Sequence, residues 1–141
     1  RNIEINFMSK QKVFLSWSWV DDQLTQIQKQ INIEYQWITG LPRGGLIPAV
    51  MLSHRLNLPY IPFHQITNEE NILLVDDISD SGVTLKKNIN TNIDTATLAL
   101  RYNSEFTPDY FGTNITDDRW LVFPWETIDS KPIQNYLEVK E

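Results

Sequence analysis

The sequence predicts an α/β fold, in which a parallel sheet is flanked by helices and followed by a final strand and a small C-terminal cap. Apolar runs typical of strands alternate with segments of helical periodicity, and this alternation favours a parallel sheet. Three acids follow the most apolar run, at the position where parallel sheets place their ligands. The 141 residues, 41% of them apolar, suit one domain with a proper core, so we expect a single domain over residues 1–141.

The first half of the chain predicts a helix, a strand and a second helix. Ser18 and Asp21 resemble a capping box, and the apolar residues behind them recur at helical spacing: Val20, Leu24, Ile27 and Ile31. YQWIT (35–39) reads as a short strand and GLPRGG (40–45) as a turn. LIPAVMLSHRLN (46–57) then predicts a helix whose first turn tolerates Pro48.

The second half continues the alternation and then breaks it. LPYIPF (58–63) reads as a strand with prolines near its edges, and ILLV (72–75) as a buried strand. A short helix is expected over 82–90 and another strand over 95–102. The tail, 103–141, is interpreted as a final strand and a small hood, because its aromatic cluster follows an acidic turn.

Composition excludes several classes of protein. Without cysteine the chain has no disulfide framework and no thiolate metal site, so we expect a cytoplasmic protein. No apolar run reaches the roughly 20 residues of a membrane span, and no signal-peptide pattern opens the chain. A net charge of -6 with scattered basic residues argues against nucleic-acid binding. Residues 1–7 are interpreted as sequence added upstream of a start at Met8.

The stretch VDDISDSGVT (75–84) carries the chemistry. Asp76, Asp77 and Asp80 follow a strand, and the small residues from Asp80 to Thr84 lead into a helix. Successive backbone N–H groups at such a turn can converge on one anion, and a phosphate monoester fits. Carboxylates beside a phosphate make sense if the ligand also carries a ribose, because an acid accepts hydrogen bonds from a diol and helps to orient Mg²⁺.

Three other interpretations suit this stretch less well. A calcium loop starting at Asp77 would need a bidentate Glu at its twelfth position, where the chain has Asn88. The nucleoside triphosphatase pattern requires Gly-Lys-Ser/Thr, which neither glycine cluster supplies. A purely structural turn would need only one capping acid rather than three.

LLVDDISDSGVT (73–84) resembles the phosphoribosyl pyrophosphate (PRPP) motif of the type I phosphoribosyltransferases. Within that family the bacterial xanthine-guanine enzymes are most similar, through LPRGGLIPAVMLSHRLNLP (41–59), PDYFG (108–112) and DDRWLVFPWE (117–126). The resemblance implies the phosphoribosyltransferase fold, a Rossmann-like parallel sheet with a hood. It also implies transfer of 5-phosphoribose from Mg²⁺-bound PRPP to a purine base, by a homodimer or homotetramer.

The resemblance assigns roles to residues at the phosphate end of the site. Asp76 and Asp77 would bind the ribose hydroxyls. Their contact with Mg²⁺ would be indirect, through the PRPP that carries the ion. Asp80, Ser81, Gly82, Val83 and Thr84 would wrap the 5'-phosphate. Asp80 would also accept or relay a proton near purine N7. The pyrophosphate loop would comprise Pro42, Arg43, Gly44 and Gly45, with a cis peptide bond between Pro42 and Arg43.

Base recognition is implied for Trp120, by stacking, and for Leu121, through its backbone. Arg101 stands where the family has a lysine that donates to the purine 6-oxo group, so the preferred base is left open. Trp125 is assigned to packing, and His54 and His64 to structural or surface roles. The family's long lid is shortened here to HQITNEE (64–70). Two other functions therefore stay open: a non-catalytic or regulatory PRPP- or nucleotide-binding protein, and a phosphoribosyltransferase for another base.

Overall fold

The structure, a computed structural model, describes residues 11–67, 70–90 and 92–127. Four parallel strands form the main sheet in the order β2 (Trp37–Gly40), β3 (Ile72–Ser79), β4 (Ile93–Arg101) and β5 (Tyr110–Ile115). A separate parallel pair joins β1 (Lys12–Phe14) to β6 (Trp120–Val122). The predicted α/β class with a parallel sheet is confirmed. The proposed upstream residues 1–7 and the hood beyond residue 127 lie outside the described residues.

Three helices cover the two faces of the sheet. The helices α1 (Trp17–Gln30) and α2 (Leu46–Leu56) pack on one face, where Leu24 and Leu52 share a core with Leu73 and Val75. On the other face Leu85, from α3 (Val83–Lys87), joins Ile72 and Leu74. The run from Ile72 to Val75 is buried throughout, as expected of a strand covered on both sides.

The cap of α1 differs from the prediction. Ser16, not Ser18, has extended backbone angles, and its hydroxyl accepts a hydrogen bond from the Trp19 amide at 3.0 Å. Ser18 lies inside the first turn of the helix, where an N-cap cannot form. The predicted apolar face is confirmed, since Val20, Leu24 and Ile27 are fully buried.

The predicted strand at 58–63 is wrong in extent. Only Tyr60 forms a bridge, to Ile38 at the outer edge of β2, and a 3-10 helix follows at Phe63–Gln65. Pro59 and Pro62 lack the N–H that a ladder needs, so the segment makes only two main-chain bonds to Ile38.

Other boundaries also move. β3 continues through both acids to Ser79, because β4 is long enough to pair with it as far as Leu100. The helix predicted over 82–90 ends at Lys87, where the Asn88 side chain donates to the Thr84 carbonyl at 2.7 Å. The strand pair formed by β1 and β6 was not predicted. No helix in the described ranges is long and apolar enough to cross a membrane.

Candidate active site

The candidate active site lies at the carboxyl ends of β2, β3 and β4, as parallel sheets favour. A cavity of about 1090 Å³ opens there, between the main sheet and the hood strand β6. Of the predicted site residues, all but Gly45 and Val83 line it: Pro42, Arg43, Gly44, Asp76, Asp77, Asp80, Ser81, Gly82, Thr84, Arg101, Trp120 and Leu121. Three strands and the hood therefore bring these residues together.

The loop after β2 lies across the end of β3. The peptide bond between Pro42 and Arg43 is cis, as predicted. Arg43 is exposed at the cavity, while Gly45 is buried beneath it and donates its amide to the Leu41 carbonyl at 2.8 Å. A β-carbon on Gly45 would overlap the Val75 carbonyl, so this glycine is placed for packing against β3 rather than at the cavity wall.

The acid pair forms the floor of the cavity. Asp76 Oδ1 accepts from the Asp77 amide at 2.8 Å, and Asp77 Oδ1 accepts from the Ile78 amide at 2.7 Å. Burial, and then the charge of Asp77, raise the pKa of Asp76 well above its usual range. Burial raises the pKa of Asp77 to about 6, and the charge of Glu126 adds to that rise. The charged forms of Asp76 and Asp77 are therefore destabilised when no ligand is bound.

Glu126 is a site residue that the sequence argument missed. It lines the cavity from the hood side, and its Oε1 accepts a hydrogen bond from the Phe123 amide at 2.9 Å. It closes the segment DDRWLVFPWE, on which the resemblance rests, but the sequence alone does not show that it approaches the acid pair. Only the return of the hood across β3 brings it to the acid pair.

The loop from Asp80 to Thr84 is shaped by a glycine in the left-handed region. Gly82 has φ of 88°, and a β-carbon there would strike Ser104 and Phe106. The Ser81 carbonyl accepts from the Glu105 amide at 2.8 Å, so the segment after β4 supports this loop from behind. The Val83 side chain is exposed and does not line the cavity. Its amide donates to the Ser81 hydroxyl at 3.3 Å.

The hood end of the cavity is framed by aromatic side chains. Trp120 is half-buried and lines the cavity beside the buried Leu121. Trp125 stacks on Phe123, with ring centroids 5.1 Å apart and planes at 14°, which agrees with its predicted packing role. Trp125 also lines the cavity, and its indole nitrogen is buried without a hydrogen bond to the described residues.

Arg101 is buried at the end of β4, with 7% of its surface exposed. Its Nε donates to Asp80 Oδ1 at 2.9 Å, and its Nη1 donates to the carbonyls of Asp117 and Arg119 at 3.0 and 2.9 Å. The sequence argument placed Arg101 near a base but did not foresee these partners. The described residues contain no group of three or more metal-ligating side chains suited to a resident metal ion.

A solved structure shows the family to which the chain belongs. No family model matches the sequence. A solved purine phosphoribosyltransferase from Pyrococcus horikoshii Ot3 is 32% identical, with a TM-score of 0.70, over 86% of this chain and 98% of that one. The chain belongs to the type I phosphoribosyltransferase family. Phosphoribosyltransferases are pentosyltransferases, a class of glycosyltransferase, so the chain belongs to a family of enzymes.

Further relatives of this phosphoribosyltransferase are more distant. The xanthine-guanine phosphoribosyltransferase of Desulfotalea psychrophila is 26% identical, over 66% of this chain and 71% of that one. The xanthine-guanine-hypoxanthine phosphoribosyltransferase of Helicobacter pylori is 19% identical, with a TM-score of 0.70 over 93% of this chain and 98% of that one. A hypothetical protein from Neisseria gonorrhoeae, solved with bound ppGpp, is 20% identical with a TM-score of 0.67 over 85% of this chain and 92% of that one. The last two likenesses show the fold alone.

Proposed function

We propose that the chain transfers 5-phosphoribose from Mg²⁺-bound PRPP to a 6-oxopurine, which is guanine, xanthine or hypoxanthine. Pyrophosphate and a nucleoside 5'-monophosphate would be released. One observation carries the proposal: a single cavity is lined by an acid pair, a small-residue loop, an exposed arginine on a glycine loop and a tryptophan. Three of these features suit the parts of PRPP, and the tryptophan suits the purine.

The phosphate and sugar fit the end of β3. The 5'-phosphate is held by the loop from Asp80 to Thr84, where amides and the hydroxyls of Ser81 and Thr84 surround a glycine with positive φ. The ribose diol donates to Asp76 and Asp77. Those hydrogen bonds, and the Mg²⁺ that arrives on the substrate, offset the burial and the neighbouring charge that raise the pKa of both acids.

The pyrophosphate fits the loop from Pro42 to Gly45. Gly44 lines the cavity next to Asp77, so the leaving group lies beside the ribose acids. Arg43 is exposed there and supplies positive charge to the anion. Gly45, beneath the loop, contributes by packing.

The base stacks on Trp120, and the backbone of Leu121 contacts its exocyclic groups. A purine nitrogen then bonds to ribose C1' as the bond from C1' to the pyrophosphate oxygen breaks. The electron pair of that bond leaves with pyrophosphate, and the proton on purine N7 passes to Asp80. Proton transfer of this kind typically contributes about 10²–10⁴ in rate.

A second candidate function is nucleotide or PRPP binding without efficient turnover, in a regulatory role. One observation favours it: the described residues between α2 and β3 do not line the cavity and so form no lid over it. Exclusion of water is one purpose of a closing lid.

A panel assay tests the proposal. The protein is mixed with PRPP, Mg²⁺ and, separately, guanine, xanthine, hypoxanthine, adenine, orotate or uracil, and both pyrophosphate and nucleotide are quantified. We expect the three 6-oxopurines to give their monophosphates. Turnover of adenine or a pyrimidine alone would show that the substrate is not a 6-oxopurine. Tight binding of GMP or ppGpp with no turnover would favour the regulatory function.

A further inference from the structure

Arg101 connects two parts of the site that are distant in the sequence. Its Nε bonds to Asp80, on the loop after β3, at 2.9 Å. Its Nη1 bonds to the carbonyls of Asp117 and Arg119, in the turn before β6, at 3.0 and 2.9 Å. That turn is itself fixed, because Asp117 Oδ2 accepts from Arg119 Nε at 2.8 Å. The guanidinium therefore joins the phosphate loop to the hood.

Asp80 depends on this contact for its orientation. Its side chain is 62% exposed, whereas that of Arg101 is 8% exposed. Within the described part of the chain, Arg101 is the only hydrogen-bonding partner of the Asp80 carboxylate. An exposed carboxylate with no partner would populate several rotamers, while a buried guanidinium held by two carbonyls gives it one fixed neighbour.

One nitrogen of Arg101 is left for a ligand. Nη2 makes no hydrogen bond to the described residues, and the side chain lines the cavity. In the planar guanidinium, Nη2 lies on the same edge as Nε, the nitrogen that is bonded to Asp80. Arg101 Nη2 and the Asp80 carboxylate thus present a donor beside an acceptor. A 6-oxopurine protonated at N7 presents the matching acceptor and donor, O6 and N7–H, side by side on one edge.

We propose that Arg101 is a positioning residue, which fixes the Asp80 carboxylate against N7, next to the 6-oxo group that the resemblance to the family already assigns to the side chain at this position. The inference rests on the proposed function, since Asp80 is the proton acceptor there. A lysine presents its three donors from a single nitrogen, so it cannot hold Asp80, two hood carbonyls and a base at separate points of one plane. Arginine at this position therefore couples the choice of base to the placement of the proton acceptor.

Arg101→Lys, Asp80→Asn and the double variant test this coupling, with Arg55→Lys on α2 as the matched control. Arg55 bonds to Asp21 and Thr25 of α1 and does not line the cavity. For Arg101→Lys we expect kcat with guanine to fall about 10- to 100-fold while PRPP affinity stays near that of the unmodified protein. We also expect Tm to fall, because the buried guanidinium loses its bonds to the hood carbonyls. In the Asp80→Asn background the same change should alter kcat by less than about threefold, because the group it positions is gone.

Two results would overturn the inference. One is an Arg101→Lys variant with normal kcat and only a raised KM for the base, which would make Arg101 a binding residue. The other is an additive double variant. If the unmodified protein binds GMP but turns over no base, the proposed function fails separately, and the same cycle is then measured on GMP affinity. Non-additive losses would still support the coupling of Arg101 to Asp80, and additive losses would refute it.

Discussion

Gly44 packs against the carboxylate of Asp77, so closely that a β-carbon on Gly44 would overlap Asp77 Oδ2 and Cγ. The loop after β2 and the acid pair in β3 thus form one continuous wall of the cavity. Two functions proposed for separate parts of PRPP, ribose binding and pyrophosphate binding, are joined at this contact.

Gly44→Ala should therefore weaken PRPP binding more than GMP binding. The added methyl group must displace either the loop or the Asp77 carboxylate, and PRPP uses both while GMP carries no pyrophosphate. Titration calorimetry with each ligand in the presence of Mg²⁺ measures the difference, with Val50→Ala on the exposed face of α2 as control. Equal losses for the two ligands would contradict the assignment of this loop to pyrophosphate.

Asp77→Asn should stabilise the ligand-free protein at high pH. The folded pKa of Asp77 is raised from 3.8 to about 6, so its contribution to stability is present below its ordinary pKa and is lost as pH rises through about 6. Above that pH the charge of this half-buried carboxylate costs about 3 kcal/mol, and the amide removes this cost.

Thermal unfolding at pH 5 and pH 8 measures that effect. The gain in Tm of Asp77→Asn over the unmodified protein should reach several degrees at pH 8 and be smaller at pH 5. Asp22→Asn, on the exposed surface of α1, should show no such dependence on pH. A larger gain at the lower pH would have the wrong sign for a buried carboxylate.

Gly82→Val should abolish binding of both GMP and PRPP. The residue has φ of 88°, which valine strongly disfavours, and its β-carbon would strike the Phe106 amide and the Ser104 hydroxyl. Val50→Ala, on the exposed face of α2 and away from the cavity, is the control. Unchanged affinities in Gly82→Val would show that the 5'-phosphate is bound elsewhere.

The positions of the functional groups could largely be predicted from sequence, because parallel strands place their carboxyl ends at one edge of a sheet. Asp76, Asp77 and Gly82 therefore lie at the cavity as expected. The contacts between these groups could not be predicted. The pair of Arg101 and Asp80, and the approach of Glu126 to Asp77, depend on how the hood returns across the sheet.

Local patterns failed where distant partners decided the structure. KVF (12–14) is too short to indicate a strand, and β1 exists only because β6 pairs with it from more than 100 residues away. The reverse holds for 58–63, where the apolar pattern suggested a strand but two prolines removed the donors it needs. The acids of β3 were expected after the strand, yet pairing with β4 extends the strand past them.

The short segment between α2 and β3 predicts slow synthesis accompanied by hydrolysis of PRPP when no base is present. None of its described residues line the cavity, so water has access to the ribosyl centre unless another subunit covers it. Release of pyrophosphate from PRPP and Mg²⁺ alone measures this, with Gly82→Val as the non-binding control. Fast synthesis by a demonstrably monomeric protein, without hydrolysis, would show that no lid is needed.

The proposed 6-oxopurine specificity predicts discrimination against adenine. Adenine presents an amino donor where guanine presents O6, so the Arg101 donor would be left unpaired, at a cost of roughly 1–3 kcal/mol. Competition between guanine and adenine for limiting PRPP measures the ratio of their kcat/KM values. Equal use of the two bases would contradict the role of Arg101 in reading the base.

The most direct test of the account is the rate of GMP formation from saturating PRPP, Mg²⁺ and guanine, by the unmodified protein and by Asp80→Asn, with PRPP affinity measured on both. The amide keeps the shape of the carboxylate but cannot accept a proton. We predict that the unmodified protein forms GMP and that the variant is slower by about 10²–10⁴ with PRPP affinity nearly unchanged. Equal rates in the two proteins, or no GMP from the unmodified protein, would contradict the account.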